Sequence, residues 1–405
     1  MEGEIMTLAK VCFSVFISLS FCYWIGKHVP AGTKRLLSLL PIICLYLFIP
    51  LNFSSVHLTG TTGFFFAWLV NFKLLLFAFD QGPLSSHPPI SLSRFLALAS
   101  FPIKIQSKTP HINSNLPPSN PNHNHNQPHQ NVTNKNPSQG YKTSQFETNL
   151  SSITPNTKSQ SKNNPSTPFL QYAIKTILLA AIIKAYDYSD HIHPKLILGM
   201  YCFHIYFMLE LMLATIAAVA RTTLGLELEP QFKEPLMSTS LQDFWGKRWN
   251  LMVTSILRPT VYEPTLRAAK GVVGPKWAPM PAVLGTFIVS GLMHEVILYY
   301  MGRVGPSFKM MGFFVLHGLC LMLEIMVKKS FVTATWKLPR LVSGMLTVGF
   351  VGVTCFWLFL PEFIRCRIVV KAFEEYTAIG AFVKNFTEID LLSQSLYQTN
   401  NNMPH

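Results

Sequence analysis

The chain has 405 residues, of which 49% are hydrophobic and 13% are charged, and its formal net charge is +14. A soluble domain carries about 25% charged residues, so this composition excludes a soluble globular protein. The basic residues collect in a few connecting segments, which argues against nucleic acid as a partner. The seven cysteines are scattered without a C-x-x-C pair, so the sequence predicts neither a disulfide framework nor a metal site.

Eight apolar runs approach the roughly 20 residues that a helix needs to cross a bilayer. A further stretch, 90–103, is short and contains Arg94 and Pro102, which favours a re-entrant or interfacial segment. Unpaired backbone groups are costly in hydrocarbon, so the runs must be helical. The sequence therefore predicts an all-α polytopic transmembrane bundle of about eight or nine spans. The eight runs lie at 8–26, 36–51, 62–79, 169–186, 195–220, 280–301, 308–327 and 341–360.

The composition divides the chain into four regions. Residues 1–105 hold the N-terminal spans, and 106–168 form a linker rich in Asn, Pro, Ser, Gln and His. This linker has too few aliphatic residues to offset the entropy of ordering, so it is predicted to be disordered. Residues 169–360 form the core of the bundle, with 221–279 as its cytosolic or re-entrant loop, and 361–405 form a C-terminal tail.

The distribution of Lys and Arg predicts the orientation. If the connection 27–35 and every second connection after it face the cytosol, they hold 22 of the 33 basic residues. This excess is what the positive-inside rule requires. Both termini are then predicted on the non-cytosolic side.

Two neighbouring spans each carry a histidine and a glutamate. Ionisable residues inside a span are costly and often functional. His294 lies about fourteen residues into its span; Ser290 shares its face, and Gly291 leaves space there for a ligand or another helix. In the next span His317 and Glu324 again share a face. The pattern predicts an intramembrane reaction chamber, and the alternative for His294 is a packing histidine bonded to a neighbouring carbonyl.

The most unusual loop segment is MSTSLQDFWGKRWNLMVTSILRPTVYEP. Ser240 is predicted to cap a helix, with Asp243 in a variant capping box. The apolar surface that follows includes Trp245 and Trp249 and predicts an amphipathic helix at the membrane interface. A surface anchor would explain the tryptophans, but Asn250 is a neutral amide in apolar surroundings, which favours a functional role.

The motif DFWGKRWN followed by SGLMHE resembles the paired motif of membrane-bound O-acyltransferases, in particular the plant wax-ester synthase group. FAFDQGPL (77–84) and FFVLHG (313–318) resemble that group as well. The resemblance implies that Asn250 is the active-site Asn and His294 the catalytic His. It further implies fatty acyl-CoA as donor with no bound cofactor, a long-chain alcohol as acceptor, membrane lipid as surroundings and the endoplasmic reticulum as location. Sterol and diacylglycerol are the alternative acceptors.

Under this interpretation, His294 accepts the alcohol proton as general base. Asn250 orients the thioester or donates a hydrogen bond to the developing oxyanion. The basic residues of the loop are predicted to contact the CoA phosphates, although the positive-inside bias alone would also place them there. The residues predicted to bind substrate are Trp245, Trp249, Ser290, Gly291, His317, Glu324, Lys247, Arg248 and Arg258.

The main rival from another class is a transporter, because intramembrane histidines and glutamates could form a proton path. We find no pair of matching interrupted helices to support it. The histidine boxes of a membrane desaturase and the H-x-x-x-D motif of other acyltransferases are also absent from the sequence. His204 and Glu210 do not share a face and are predicted to be structural.

Overall fold

The computed structural model describes residues 2–85, 90–102, 166–225, 228–330, 339–382 and 384. Met1–Gln106 and Ala173–His405 belong to one compact unit, and Ser107–Tyr172 to a second, of which only the start of a helix is described. No strand occurs in the described residues. The α-helices are α1 (Glu2–His28), α2 (Thr33–Phe48), α3 (Val56–Thr62), α4 (Asn71–Ala78), α5 (Leu92–Ser100), α6 (Ser166–Ala185), α7 (Pro194–Leu224), α8 (Leu241–Asp243), α9 (Leu251–Leu257), α10 (Glu263–Trp277), α11 (Pro279–Gly302), α12 (Lys309–Ser330), α13 (Arg340–Thr354) and α14 (Leu360–Arg365).

Seven helical stretches of the described chain are long and apolar enough to cross a membrane, which confirms the all-α polytopic prediction. They coincide with seven of the eight predicted runs, and the eighth, 169–186, forms the 20-residue helix α6. The short stretch 90–103 contains α5, whose nine residues are too few to span. The predicted linker 106–168 lies outside the described residues, apart from 166–168 at the start of α6. The seven stretches are Gly3–His28, Thr33–Asn52, Val56–Ala78, Pro194–Thr223, Pro279–Gly302, Lys309–Ser330 and Arg340–Arg365.

Two buried cations tie the N-terminal helices together. The Arg35 guanidinium donates to three backbone carbonyls at the ends of α1 and α4. The Lys73 ammonium has no exposed surface and donates to three carbonyls at the C-terminal end of α5, at 2.6 to 3.2 Å. A helix C-terminus leaves carbonyls without intrahelical partners and favours positive charge. Lys73 therefore acts as the cap of α5 and fixes that short helix against α4.

Helices α11 and α12 form a tightly packed hairpin. A Cβ at Gly318 would lie 3.0 Å from Phe287, and a Cβ at Gly291 would lie 3.2 Å from the Cα of Met311. The buried Glu295 accepts a hydrogen bond from the Met311 N–H at 3.1 Å and so caps the first turn of α12. Small residues and one carboxylate thus set the distance between the two helices.

The first part of the predicted C-terminal tail is helical, since α14 is followed by a helix over 368–382. Glu375 of this helix accepts hydrogen bonds from the His57 ring, the Ser55 hydroxyl and the Val56 N–H at the start of α3. Burial raises the pKa of the Glu375 carboxyl, but these hydrogen bonds outweigh it and leave the pKa below its ordinary value. The helix 368–382 is therefore joined to α3 through its carboxylate.

Helix α7 is attached to two neighbours through the residues predicted to be structural. The Nε2 of His204 and the hydroxyl of Tyr376 share a hydrogen bond at 3.0 Å, which reaches the helix 368–382. Glu210 accepts a hydrogen bond from Lys175 of α6. Both residues thus hold helices together, as predicted.

Candidate active site

The segment that carries Asn250 is not one continuous helix, so that prediction was wrong. Ser240 does cap its start, because its Oγ accepts from the Asp243 N–H at 3.1 Å. The chain then leaves the helix at Trp249 and takes a left-handed conformation at Asn250, with φ 38°. Asn tolerates this region better than most residues, and its Oδ1 accepts from the Val253 N–H at 3.4 Å to cap α9. Trp249 and Asn250 therefore separate two helical segments.

The geometry leaves one side of the Asn250 amide available. The residue is 8% exposed, and its Oδ1 is occupied by the cap. Its Nδ2 has no hydrogen-bond acceptor in the part of the chain that the structure describes. Asn250 can therefore offer N–H groups to another molecule without giving up its role in the turn.

Two side chains of α12 form hydrogen bonds with the segment that carries Asn250. The Glu324 carboxylate accepts from the Leu241 N–H at 2.8 Å, at the start of α8. Two turns earlier on the same face of α12, the His317 Nδ1 accepts from the Trp245 indole at 3.1 Å, and its Nε2 forms a hydrogen bond with the Thr354 hydroxyl at 2.8 Å. His317 is fully buried with both ring nitrogens occupied. Both residues were predicted to bind substrate, and in the structure both contact the segment that carries Asn250.

The predicted phosphate-binding residues occupy different environments. Lys247 and Arg258 are exposed, and Arg258 also lies 3.4 Å from Glu263. Arg248 donates to Asp243 at 2.7 Å and to the backbone carbonyls of Lys233 and Glu234. The Trp249 indole lies within a cluster of aromatic rings. Of the three basic residues, Arg248 is thus engaged in stabilising the loop.

His294 of α11 is bonded at one ring nitrogen only. Its Nδ1 lies 2.7 Å from the carbonyl of Ser290, one turn earlier. A carbonyl only accepts, so Nδ1 carries the proton, and in the neutral ring Nε2 carries the lone pair. Nε2 has no hydrogen-bond partner among the described residues. The carbonyl contact of a packing histidine is therefore present, but it leaves the second nitrogen available.

Aromatic side chains surround the His294 imidazole. Phe314 lies 4.3 Å from it between ring centroids, Trp68 lies 5.3 Å away at 75°, and Phe359 lies 6.3 Å away. The imidazole remains half-buried rather than fully enclosed. Ser290 contributes its carbonyl to this site, and Gly291 contributes close packing against α12 rather than open space.

Two of the rings around the imidazole come from π-helical turns, which are rare and often occur at functional sites. Gly63–Val70 carries Trp68, and Cys355–Phe359 ends in Phe359. A third π-helical turn, Phe244–Arg248, carries Trp245 of the segment that leads to Asn250. Trp68 was not among the site residues predicted from the sequence. The available signal was its place in the middle of a span, because tryptophan is enriched at membrane interfaces instead.

Two sets of packed side chains connect the surroundings of His294 with those of Asn250. Phe314 contacts the imidazole and lies 6.1 Å from the indole of Trp245, five residues before Asn250. On the other side Trp68 contacts the imidazole, while the adjoining Leu69 packs in a cluster with Met252 and Ile256 of α9. The two predicted catalytic residues therefore belong to one packed region.

The described residues contain no cluster of His, Cys, Asp or Glu that could hold a metal ion.

A model of the membrane-bound O-acyl transferase family matches residues 228–316, which include Asn250 and His294. Fold and match together define a multi-pass membrane acyltransferase.

Similarity to known proteins extends over nearly the whole chain. It is 46% identical over 370 residues to acyl-CoA–sterol O-acyltransferase 1 of Arabidopsis thaliana, covering 91% of this chain and 93% of that protein. It is 40% identical over 397 residues to the long-chain-alcohol O-fatty-acyltransferase of Simmondsia chinensis, covering 96% and 98%. It is 39% identical over 386 residues to probable long-chain-alcohol O-fatty-acyltransferase 3 of Arabidopsis thaliana, covering 95% and 97%. The chain therefore belongs to the membrane-bound O-acyltransferase family, which confirms the resemblance and sets the transporter aside.

Proposed function

We propose that this protein transfers a fatty acyl group from acyl-CoA to the hydroxyl of a lipid alcohol within the membrane of the endoplasmic reticulum. The first candidate acceptor is a long-chain fatty alcohol, which gives a wax ester. The observation that carries the proposal is the His294 imidazole, whose Nδ1 is bonded to Ser290 while Nε2 remains available. A positioned base with an available lone pair is what activation of an alcohol requires.

The proposed reaction is a direct transfer. The alcohol oxygen attacks the thioester carbonyl, and His294 Nε2 takes the hydroxyl proton as the new C–O bond forms. The C–S bond then breaks, and the proton passes from the imidazole to the departing CoA thiolate. The products are an ester and free CoA, and the imidazole returns to its neutral form without any acyl-enzyme.

Asn250 is proposed to stabilise the charge that develops on the thioester oxygen. Its Oδ1 is held by the Val253 N–H, so the direction of Nδ2 is fixed before substrate arrives. Donors that are oriented in advance and shielded from water are effective at a developing oxyanion. His317 and Glu324 then act as positioning residues, because they hold the segment that carries this amide.

The CoA end of the donor is anionic, and the exposed cations of this segment suit it. Lys247 is exposed and close in sequence to Asn250, and Arg258 is exposed at the end of α9. We assign phosphate contact to these two rather than to Arg248, whose guanidinium is bonded to Asp243 and to backbone. Their contribution should weaken as salt is added.

A sterol is the second candidate acceptor. The observation that favours it is the 46% identity to the sterol acyltransferase, against 40% and 39% for the two long-chain-alcohol enzymes. Both acceptors present a single hydroxyl on an apolar body, so the same base and amide serve either reaction.

The test uses membranes from a host that lacks neutral-lipid synthesis, radiolabelled acyl-CoA, and a long-chain alcohol, a sterol or diacylglycerol as acceptor. The wild-type protein should form one class of labelled ester, and His294→Ala should form none. His191→Ala, at an exposed loop histidine, is the control and should keep full activity. Ester formation by His294→Ala at the wild-type rate would refute the role of His294.

Asn250→Asp separates the two roles of the amide. The aspartate keeps an oxygen for the Val253 N–H and tolerates the left-handed conformation, but it loses the Nδ2 donor. We expect a fall in kcat of about 10²- to 10³-fold, the range for losing one oxyanion donor. An unchanged kcat would show that the amide only caps α9.

A further inference from the structure

A second buried donor in the His294 site has no acceptor. The Trp68 side chain is 2% exposed, and its Nε1–H makes no hydrogen bond in the described chain. The indole lies in edge-to-face contact with the His294 imidazole, with centroids 5.3 Å apart. Buried N–H groups are almost always paired, so an orphan in a site indicates a missing partner.

The other indole of this region shows the contrast. Trp245 donates its N–H to His317 at 3.1 Å, so the protein supplies an acceptor for that ring. For Trp68 it supplies none, although a polar imidazole stands beside it. Because an indole nitrogen only donates, the missing partner must be an atom with a lone pair.

We propose that the Trp68 Nε1–H donates a hydrogen bond to the hydroxyl oxygen of the acceptor alcohol. This inference rests on the proposed role of His294. A general base needs the alcohol oxygen within about 2.6–3.2 Å of its nitrogen, which places that oxygen beside the imidazole that Trp68 contacts. The thioester oxygen is assigned to Asn250, the N-cap residue of α9. The alcohol oxygen therefore accepts from Trp68 and donates its own proton to His294 Nε2.

The contact would make Trp68 a determinant of acceptor chemistry. With one lone pair held by the indole and its proton directed to His294, the oxygen has its other lone pair free for the thioester carbon. A thiol of equal chain length cannot replace it well, because sulfur is a weak acceptor. A site with a buried donor discriminates strongly against a substrate that leaves the donor unpaired.

Two replacements test the N–H separately from the shape of the ring. Trp68→Phe removes the N–H together with part of the ring, and 3-benzothienylalanine at position 68 replaces only the N–H with sulfur. Trp357→Phe is the matched control, because that tryptophan is 68% exposed. The measurements are kcat and KM for the alcohol and for acyl-CoA, the preference for alcohol over the matching thiol, and the thermal unfolding midpoint in detergent.

With benzothienylalanine we expect kcat/KM for the alcohol to fall about tenfold and the preference for alcohol over thiol to fall by a similar factor. KM for acyl-CoA and the unfolding midpoint should stay at wild-type values, and Trp357→Phe should leave every quantity unchanged. Trp68→Phe should show the same kinetic loss with a lower unfolding midpoint.

Wild-type kcat/KM and wild-type thiol discrimination with benzothienylalanine would overturn the inference, since the N–H would then contribute nothing to the reaction with the alcohol. A loss confined to KM for acyl-CoA would overturn it as well, because the donor would then serve the thioester. His294→Ala, measured in parallel, separates the two proposals. An inactive His294→Ala protein with an unaffected Trp68 variant rejects the indole contact alone, and an active one rejects the base on which it rests.

Discussion

Gly291→Ala tests how closely the active site depends on the spacing of α11 and α12. An added Cβ would lie 2.8 Å from the Met311 Sδ, 3.2 Å from the Met311 Cα and 3.2 Å from the Phe314 Cβ. The thioether can rotate away, but the backbone of α12 cannot. The helices must therefore separate by a few tenths of an ångström, and Phe314, whose ring lies 4.3 Å from the His294 imidazole, must move with α12.

The change in the free energy of unfolding is the sum of two opposing contributions. Overpacking a tight contact costs about 1–3 kcal/mol. Replacing a glycine inside a helix by alanine stabilises the helix by about 1 kcal/mol. Gly349→Ala in α13 receives only the second contribution, because no atom lies within 4 Å of its added Cβ. The two variants should therefore differ in unfolding free energy by the packing cost alone, about 1–3 kcal/mol.

The assay compares the two variants for thermal unfolding in detergent and for ester formation from acyl-CoA. We expect Gly291→Ala to unfold at a lower temperature than Gly349→Ala and to lose activity on the order of tenfold, since a shift of about 1 Å in a site costs about 10²-fold. Equal unfolding midpoints and equal rates for the two variants would refute the packing argument.

Three further changes test the supporting structure. His317→Phe keeps a ring but removes the acceptor of the Trp245 indole, so the unfolding free energy should fall by about 1–3 kcal/mol and kcat should fall with it. Lys73→Met keeps the length of the side chain but leaves the three carbonyls of α5 without their donor, so the unfolding midpoint should fall. The stability that Glu375 contributes is complete above the ordinary carboxyl pKa of 4.5 and is lost as pH falls through the lowered pKa of the folded protein, so Glu375→Gln should flatten the acid side of the stability profile.

Lys73→Met has a matched control, and each of the three predictions has a result that would contradict it. Lys10→Met alters an exposed lysine of α1 and should leave the midpoint unchanged. Wild-type kcat in His317→Phe would show that the Trp245 hydrogen bond does not position the site. Midpoints of Lys73→Met and Lys10→Met that agree would contradict the capping role of Lys73. An acid profile of Glu375→Gln that superimposes on the wild-type profile would contradict the role of that carboxylate.

The membrane spans could be predicted from the sequence because length and hydropathy decide them locally. The cap at Ser240 could be predicted for the same reason, since its signature lies within four residues. The turn at Asn250 could not. The segment 241–257 has the pattern of an amphipathic helix, and its break is held by Glu324 and His317 from α12, far away in the sequence.

Periodicity correctly placed His317 and Glu324 on one face of a helix, but it does not reveal what that face contacts. Both side chains were predicted to contact substrate, and the contacts that the structure shows are with the loop segment that carries Asn250. The same limitation applies to Gly291, for which the sequence left a ligand or a helix open and the structure places a helix. The roles of His294 and Asn250 stay predictions, now with a defined donor and acceptor atom in each.

The π-helical stretch Gly63–Val70 has a consequence for the evolution of the third span. A π-turn contains more residues than an α-turn, so each one shifts every later side chain around the helix axis. Deleting a single residue from this stretch would rotate the following helix by roughly 100°, about one α-helical residue. Lys73 would then point away from the end of α5, and a deletion before Trp68 would also turn that indole away from the imidazole. Insertions and deletions here should be tolerated far less than substitutions.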